Sequence, residues 1–112
     1  YIVPMIDARR MEVYSAIFDA KYQKVRETQA EIITEDSFAT LEGTVCFVGD
    51  STEKCATTLT KSNFIFKDNI VYPSANEMSY LSDEKYKKND TVDVAYFEPY
   101  YLKDFMTTVP KK

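Results

Sequence analysis

The strongest constraint on the fold is a pair of apolar, β-prone runs at the start of the chain, separated by a charged break at residues 7–10. Two such runs around a short break form the pattern of a β-hairpin. In the first run, Ile2–Asp7, apolar side chains alternate onto both faces, which is typical of a strand covered on both sides. The second run, Glu12–Phe18, has the same property. We therefore expect the first strand to lie at the centre of a sheet.

The middle of the chain predicts one polar strand followed by a helix, a strand and a second helix. Residues 24–29 alternate with little apolar content, as in an edge strand protected by charges. Residues 34–42 predict a short helix, with Thr34 as its N-cap and Gly43 at its C-terminal end. The apolar run at residues 44–49 predicts a buried parallel strand. Residues 50–60 then predict a helix with Cys55 and Leu59 on its inner face.

The last third predicts a strand, a helix and an aromatic tail. We assign the strand to residues 70–72 and treat residues 64–66 as a loop. The helix begins after Ser74 in a capping box with Glu77, and Ala75, Met78 and Leu81 form a stripe expected to face the core. Residues 92–105 are too aromatic for a free linker. We expect them to pack on this chain or on a neighbour.

The predicted order β-β-β-α-β-α-β-α places three antiparallel strands before a βα alternation. This order predicts an α/β fold with a mixed five-stranded sheet, in the form of an RNase H-like lobe of the actin-like ATPase superfamily. A chain of 112 residues fits one domain, spanning residues 1–112. Because it starts inside a strand, we expect the C-terminal lobe of a longer, two-lobe protein.

Composition indicates which cellular compartment and which classes of partner to expect. Eighteen acidic and fourteen basic residues give a net charge of −4, and the basic residues are scattered. Such a lobe is a poor nucleic-acid binder, because phosphate contacts need clustered Lys and Arg. There is no apolar run of the about 20 residues that a membrane span needs, so no membrane contact is expected. Cys46 and Cys55 are interpreted as free thiols of a cytoplasmic protein.

A family resemblance rests on the hairpin and on three later motifs. Residues 4–14 read Pro-Met-Ile-Asp-Ala-Arg-Arg-Met-Glu-Val-Tyr and closely resemble the hairpin that opens the second lobe of the TsaB (YeaZ) family. The later motifs are Phe-Val-Gly-Asp at residues 47–50, Tyr-Pro-Ser-Ala at 72–75 and Pro-Tyr-Tyr-Leu-Lys at 99–103. The hairpin is specific, whereas the later motifs gain weight from their order. Ser51 departs from the family, where a second glycine is expected.

The resemblance implies a bacterial, cytoplasmic protein of the glycoprotease-related branch of the actin-like superfamily. Members of the family take part in making N6-threonylcarbamoyladenosine in tRNA. In that reaction the TsaB-type subunit is non-catalytic and pairs with TsaD, the threonylcarbamoyltransferase, while TsaE is the ATPase. The resemblance therefore implies a scaffold or dimerisation subunit with TsaD and TsaE as partners. A homodimer is an open alternative.

The residues themselves limit the chemistry of this chain. Without histidine, it holds no Ser-His or Cys-His nucleophile pair and no His-based metal site. Asp7 is followed by Ala8, Arg9 and Arg10, whereas a phosphate-binding turn needs glycine so that its N–H groups can approach the phosphate. We expect no cofactor. A glycoprotease-like peptidase or another enzyme of the same superfamily remains an alternative.

Asp7 and Asp50 raise a second alternative, a magnesium-dependent RNase H-type nuclease. Both follow strands predicted to be parallel neighbours, and a third acid such as Glu35 or Glu42 would be needed. The favoured interpretation is structural: Asp7 orders the hairpin turn by pairing with one of the two following arginines, and Asp50 caps the next helix. We assign structural or partner-contact roles, without a catalytic one, to Asp7, Arg9, Arg10, Glu12, Tyr14, Asp50, Tyr100 and Tyr101.

Overall fold

The structure is a computed structural model that describes residues 1–93 and 95–96. In chain order, its elements are β1 (Ile2–Asp7), β2 (Glu12–Phe18), β3 (Lys24–Ile32), β4 (Val45–Gly49), α1 (Thr52–Ala56), β5 (Phe64–Phe66) and α2 (Ala75–Lys87). None of the helices in this described part is long and apolar enough to cross a membrane.

The strands form one open, mixed sheet in the order β3-β2-β1-β4-β5. β2 is antiparallel to both β1 and β3, whereas β4 is parallel to both β1 and β5. The predicted α/β class and mixed five-stranded sheet are confirmed, with β1 central and β3 at an edge. β1 is central because it pairs with β2 on one side and with β4 on the other.

One face of the sheet carries the hydrophobic core. Phe47 of β4 is fully buried at its centre, with ring centroids 5.4 Å from Phe38, 5.1 Å from Phe64 and 4.9 Å from Phe66. The other core side chains are Val3, Met5, Val13, Ile17, Ile33, Val45, Cys55 and Leu59. Cys55 and Leu59 are buried as predicted, with the Leu59 N–H donating to the Cys55 carbonyl over 2.8 Å.

The opposite face of the sheet is apolar but only partly covered, and we call it the open face. Strand registers place on it Ile2, Pro4, Ile6, Tyr14, Ala16, Phe18, Cys46, Val48 and Ile65. Ile6 is 52 % exposed and Ile65 is 44 % exposed. The expectation that β1 is covered on both faces is therefore wrong for this face of the described residues.

The edge strand β3 is polar, as predicted, and turns one charge inwards. The Arg26 guanidinium donates to the Ser15 carbonyl over 3.1 Å and to the Ser15 hydroxyl over 2.6 Å, and it pairs with Glu31 over 3.1 Å. An inward-pointing charge at an edge hinders pairing with another strand. β3 therefore shields one border of the core with a charged side chain, while its Val25 and Ile32 are exposed.

The helix predicted over residues 34–42 is wrong, because these residues form successive turns. Phe38 has a φ of 61°, which an α-helix does not allow. The backbone bonds run three residues back, as from the Ser37 N–H to the Thr34 carbonyl over 3.1 Å. Thr34 does accept from the Asp36 N–H over 3.3 Å, so it orders a turn. The departure at Phe38 lets its ring reach Phe47.

Two further boundaries differ from the predictions. The strand assigned to residues 70–72 is wrong, and β5 (Phe64–Phe66), treated as a loop, forms the parallel partner of β4. Alternating burial favours this choice, since Phe64 reaches the core while Ile65 does not. The helix predicted over residues 50–60 contracts to α1 (Thr52–Ala56).

Helix α2 has the predicted bounds but a different environment. Ser74 is its N-cap and accepts from the Asn76 N–H over 3.2 Å. Its stripe was expected to face the core, yet Met78 is 65 % exposed, Leu81 is 61 % exposed and no residue of α2 is buried. That expectation is wrong for this arrangement. In the predicted tail Tyr96 is exposed, whereas residues 94 and 97–105, including Tyr100 and Tyr101, lie outside the described residues.

Candidate functional site

The candidate site lies where the C-terminal ends of β1 and β4 meet. Because these strands are parallel neighbours, Asp7 at the end of β1 and Asp50 after β4 come together. The backbone N–H of Asp7 donates to Asp50 Oδ1 over 2.8 Å, and the Ser51 hydroxyl donates to the same oxygen over 3.1 Å. Asp50 therefore links the β1–β2 turn to the start of α1.

Gly49 allows this close approach of the two strand ends. Its φ of +114° is in the region that favours glycine, and a Cβ there would lie 1.9 Å from the Met5 carbonyl oxygen. Its N–H donates to the Ile70 carbonyl over 2.8 Å, which fixes the loop before α2 beside the same strand end. A side chain at position 49 would push Asp50 away from β1.

Lys54 of α1 supplies the positive charge of the site. Its ammonium group pairs with Asp7 Oδ1 and donates to the carbonyls of Arg10 and Glu12, over 2.6 Å and 3.0 Å. The hydrogen bond from Lys54, with a smaller one from the Arg9 N–H, lowers the pKa of Asp7 from its usual value of 3.8. Lys54 of α1 thus bonds to three residues of the β1–β2 turn and holds the turn against α1.

The turn itself uses its backbone groups within the chain. Arg9 and Arg10 have φ angles of 79° and 50°, so both are left-handed. The Ala8 N–H donates to the Glu12 carbonyl over 3.0 Å, the Arg9 N–H to Asp7 Oδ1 over 3.1 Å and the Glu12 N–H to the Arg9 carbonyl over 3.0 Å. A bound phosphate would have to compete for these three donors with the chain itself.

The structure changes the predicted roles of the two aspartates. Asp7 does order the turn, but its cationic partner is Lys54 and not Arg9 or Arg10. Asp50 does not cap α1: the N-cap is Ser51, without a side-chain capping bond, and the Asp50 carboxylate is engaged by Asp7 and Ser51 instead.

The geometry does not assemble the carboxylates that a two-metal or one-metal nuclease uses. Within residues 1–93 and 95–96, no three His, Cys, Asp or Glu side chains are grouped so that they could hold a metal ion. Neither Glu35 nor Glu42 therefore completes a set with Asp7 and Asp50. The Lys54 ammonium already neutralises Asp7.

The remaining predicted site residues lie in different parts of the structure. Glu12 is half-buried at the start of β2, where its backbone carbonyl accepts hydrogen bonds from the Ala8 N–H and the Lys54 ammonium group. Tyr14 is half-buried on the open face, opposite Ile6. Tyr100 and Tyr101 lie outside the described part. Lys54 was missed from the sequence, because its contact with a residue 47 positions earlier depends on where α1 lies relative to the hairpin turn.

Both cysteines are free thiols and occupy opposite faces of the sheet. Cys55 is fully buried in the core, and burial raises the pKa of its thiol. Cys46 is half-buried on the open face between Ile2 and Ile65. Neither lies in an electropositive, accessible environment of the kind that activates a catalytic thiol.

Comparisons with known proteins leave the family unassigned. A scan against protein-family models gives no match, and a search of curated proteins gives none.

Proposed function

We propose that this chain is a lobe of a TsaB-type scaffold subunit, which supports synthesis of N6-threonylcarbamoyladenosine in bacterial tRNA without contributing a catalytic residue. One observation carries the proposal. The hairpin at residues 4–14, which resembles the TsaB family, has its polar turn groups bound within the chain by Lys54 and Asp50. Such a turn supports a structural function.

The sheet order supports the finer assignment to an RNase H-like lobe. Three antiparallel strands followed by two parallel ones, in the order β3-β2-β1-β4-β5, agree with that fold. In the actin-like superfamily a nucleotide lies between two such lobes and needs glycine-lined turns. Here the equivalent turn carries Arg9 and Arg10 and has engaged its own N–H donors.

The partners follow from the resemblance. TsaD would supply the transferase centre and TsaE the ATPase, while the present protein would hold the complex together in the cytoplasm. This assignment accounts for a polypeptide with no histidine and a net charge of −4, because a scaffold needs neither a nucleophile pair nor a basic RNA groove.

Reconstitution tests the proposal. The intact protein containing this chain is mixed with TsaD and TsaE from the same organism, and formation of the modified nucleoside in tRNA is measured by mass spectrometry. We expect modification to require the protein and TsaD to co-purify with it. Full modification in its absence, or a failure to bind TsaD when both proteins are folded, would contradict the scaffold function.

A further inference from the structure

The tip of the β1–β2 hairpin holds two adjacent arginines in a backbone conformation that favours glycine. Arg9 has a φ of 79° and Arg10 has a φ of 50°, and both residues are exposed. Left-handed backbone is strained in a residue with a Cβ, whereas glycine adopts it freely. The fold alone would therefore favour glycine at both positions. Because strained residues of this kind cluster at functional sites, the two side chains are candidates for a role outside the fold.

The surrounding chain holds this strained backbone in place. The Lys54 ammonium group donates to the Arg10 carbonyl over 2.6 Å. The Arg9 N–H donates to Asp7 Oδ1 over 3.1 Å, and the Arg9 carbonyl accepts from the Glu12 N–H over 3.0 Å. Both arginine side chains therefore start from a fixed backbone, and a ligand that binds them does not have to order the turn.

The positive charge of both arginines is unpaired within the described part of the chain. Among residues 1–93 and 95–96, no ion pair includes Arg9 or Arg10, and Lys54 is the cation that pairs with Asp7. One of the two arginines was expected in that position, so the structure leaves both guanidinium groups for another ligand. A guanidinium group presents its N–H donors as a planar fork that matches a carboxylate bidentately. Two such groups on adjacent residues form a site for carboxylates.

The surroundings of the arginines favour a protein carboxylate over a nucleic acid. Asp50 lies beside the turn, since its carboxylate accepts from the Asp7 N–H over 2.8 Å, and Glu12 lies within the hairpin. With these acids nearby and a net charge of −4 on the chain, most phosphates of a nucleic acid would be repelled. A short acidic segment of a folded partner can place one or two carboxylates on the arginines alone.

We propose that Arg9 and Arg10 form a docking site for an acidic segment of a partner protein, in which each guanidinium group pairs with an Asp or Glu carboxylate. The proposal accounts for two arginines at positions where the backbone favours glycine. It does not rest on the proposed scaffold function, because any partner with a suitable acidic segment would bind in this way. Since the contacts are charged and exposed, salt weakens them.

A fluorescently labelled hexaglutamate peptide is the probe of this site. It is titrated at low ionic strength with the intact protein containing this chain, and binding is measured by fluorescence anisotropy. Arg9→Gly/Arg10→Gly removes both guanidinium groups and relieves the backbone strain, whereas Arg9→Gln/Arg10→Gln removes them and keeps the strain. Lys87→Gln/Lys88→Gln is the matched control, because it removes the same charge from the exposed C-terminal end of α2. Circular dichroism verifies that each variant is folded.

We expect saturable binding that both arginine variants weaken roughly tenfold or more and that the lysine control leaves within about twofold. The urea midpoint of Arg9→Gly/Arg10→Gly should be at least as high as that of the unsubstituted protein, because glycine adopts the left-handed conformation without strain. Absence of peptide binding, unchanged binding by Arg9→Gln/Arg10→Gln, an equal loss in the lysine control or a lower urea midpoint of the glycine variant would overturn the proposal.

A single-stranded RNA oligonucleotide of equal charge separates the two classes of partner. We expect the RNA to bind more weakly than the peptide, because its phosphates also approach Asp50 and Glu12. Equal or tighter binding of the RNA would make the arginine pair a phosphate site and overturn the assignment to an acidic protein segment.

Discussion

The backbone N–H of Asp7 donates to the carboxylate of Asp50 over 2.8 Å, across 43 residues of sequence. This bond joins the turn after β1 to the residue after β4, and Lys54 completes the connection from α1. The Asp7 carboxylate is held by the Lys54 ammonium group, which lowers its pKa. Protonation of Asp7 is therefore linked to the stability of the fold.

Asp7→Asn should reduce the free energy of unfolding at neutral pH and lose its effect in acid. Lys54 lowers the pKa of Asp7 in the folded state below 3.8. The stabilisation is thus fully present above the pKa of the unfolded chain and is lost as the pH falls through the lower, folded pKa. Urea denaturation at several pH values from about 7 to about 2.5 measures the free energy of unfolding of the unsubstituted protein and of Asp7→Asn. A difference that grows in acid would contradict the assigned Lys54 contact.

Gly49→Ala should be strongly destabilising, by more than about 3 kcal/mol. The added Cβ would lie 1.9 Å from the Met5 carbonyl oxygen, and the φ of +114° is strained for alanine. Gly43→Ala is the control, because its φ is +76° but nothing lies within 4 Å of the added carbon. It should cost about 1–2 kcal/mol. Equal urea midpoints for the two variants would show that β4 does not approach β1 in this way.

The hairpin and the sheet follow directly from the sequence, and the interior turns do not. Ile2–Asp7 and Glu12–Phe18 have the predicted bounds because alternation along a strand is local information. The helix predicted at residues 34–42 failed because a tertiary contact of the Phe38 ring with Phe47 outweighs local propensity. β5 was missed for a similar reason: packing of Phe64 and Phe66 on Phe47 decides which apolar run pairs with β4.

The sequence predicted part of the candidate site. Asp7 and Asp50 could be placed together, since both follow strands predicted to be parallel neighbours. Their partners could not, because the Lys54 contact depends on where α1 lies relative to the hairpin turn. Capping preferences favoured Asp50 as the N-cap of the helix, whereas in the structure its carboxylate accepts from the Asp7 N–H. A hydrogen bond between residues 43 positions apart leaves no periodic signal in the sequence.

The two thiols should react at different rates. Cys46 is half-buried on the open face, whereas Cys55 is fully buried and burial raises the pKa of its thiol. In native protein at about pH 8, a thiol reagent should therefore modify Cys46 well before Cys55. In denatured, non-reduced protein both should be counted. Fewer than two thiols would contradict the interpretation of a reduced protein, and Cys46→Ser identifies the slow site.

The chain should not bind ATP by itself. The N–H groups of Ala8, Arg9 and Glu12 are engaged within the turn, and a phosphate gains little from a site whose donors are taken. Calorimetry with ATP and magnesium should give only heats of dilution. A micromolar dissociation constant, which corresponds to about −8 kcal/mol, would contradict this prediction and reopen the alternative of an actin-like enzyme.

Carboxylate substitutions should separate a scaffold from an enzyme. In the intact protein, Asp7→Asn and Asp50→Asn should leave TsaD-dependent tRNA modification within a few-fold of the starting rate when the variants are folded. A catalytic carboxylate would instead cost orders of magnitude.

Phe47→Ala is the matched structural variant. Its ring contacts Phe38, Phe64 and Phe66 in the core, so truncation should cost about 3–5 kcal/mol of stability. Modification should then fall in step with the fraction of folded protein, as measured by circular dichroism at the assay temperature. If Asp7→Asn or Asp50→Asn abolished modification while the protein remained folded and bound to TsaD, the carboxylate would act in the reaction. The scaffold function would then be wrong, because loss of a turn contact alone leaves a folded, TsaD-bound subunit competent.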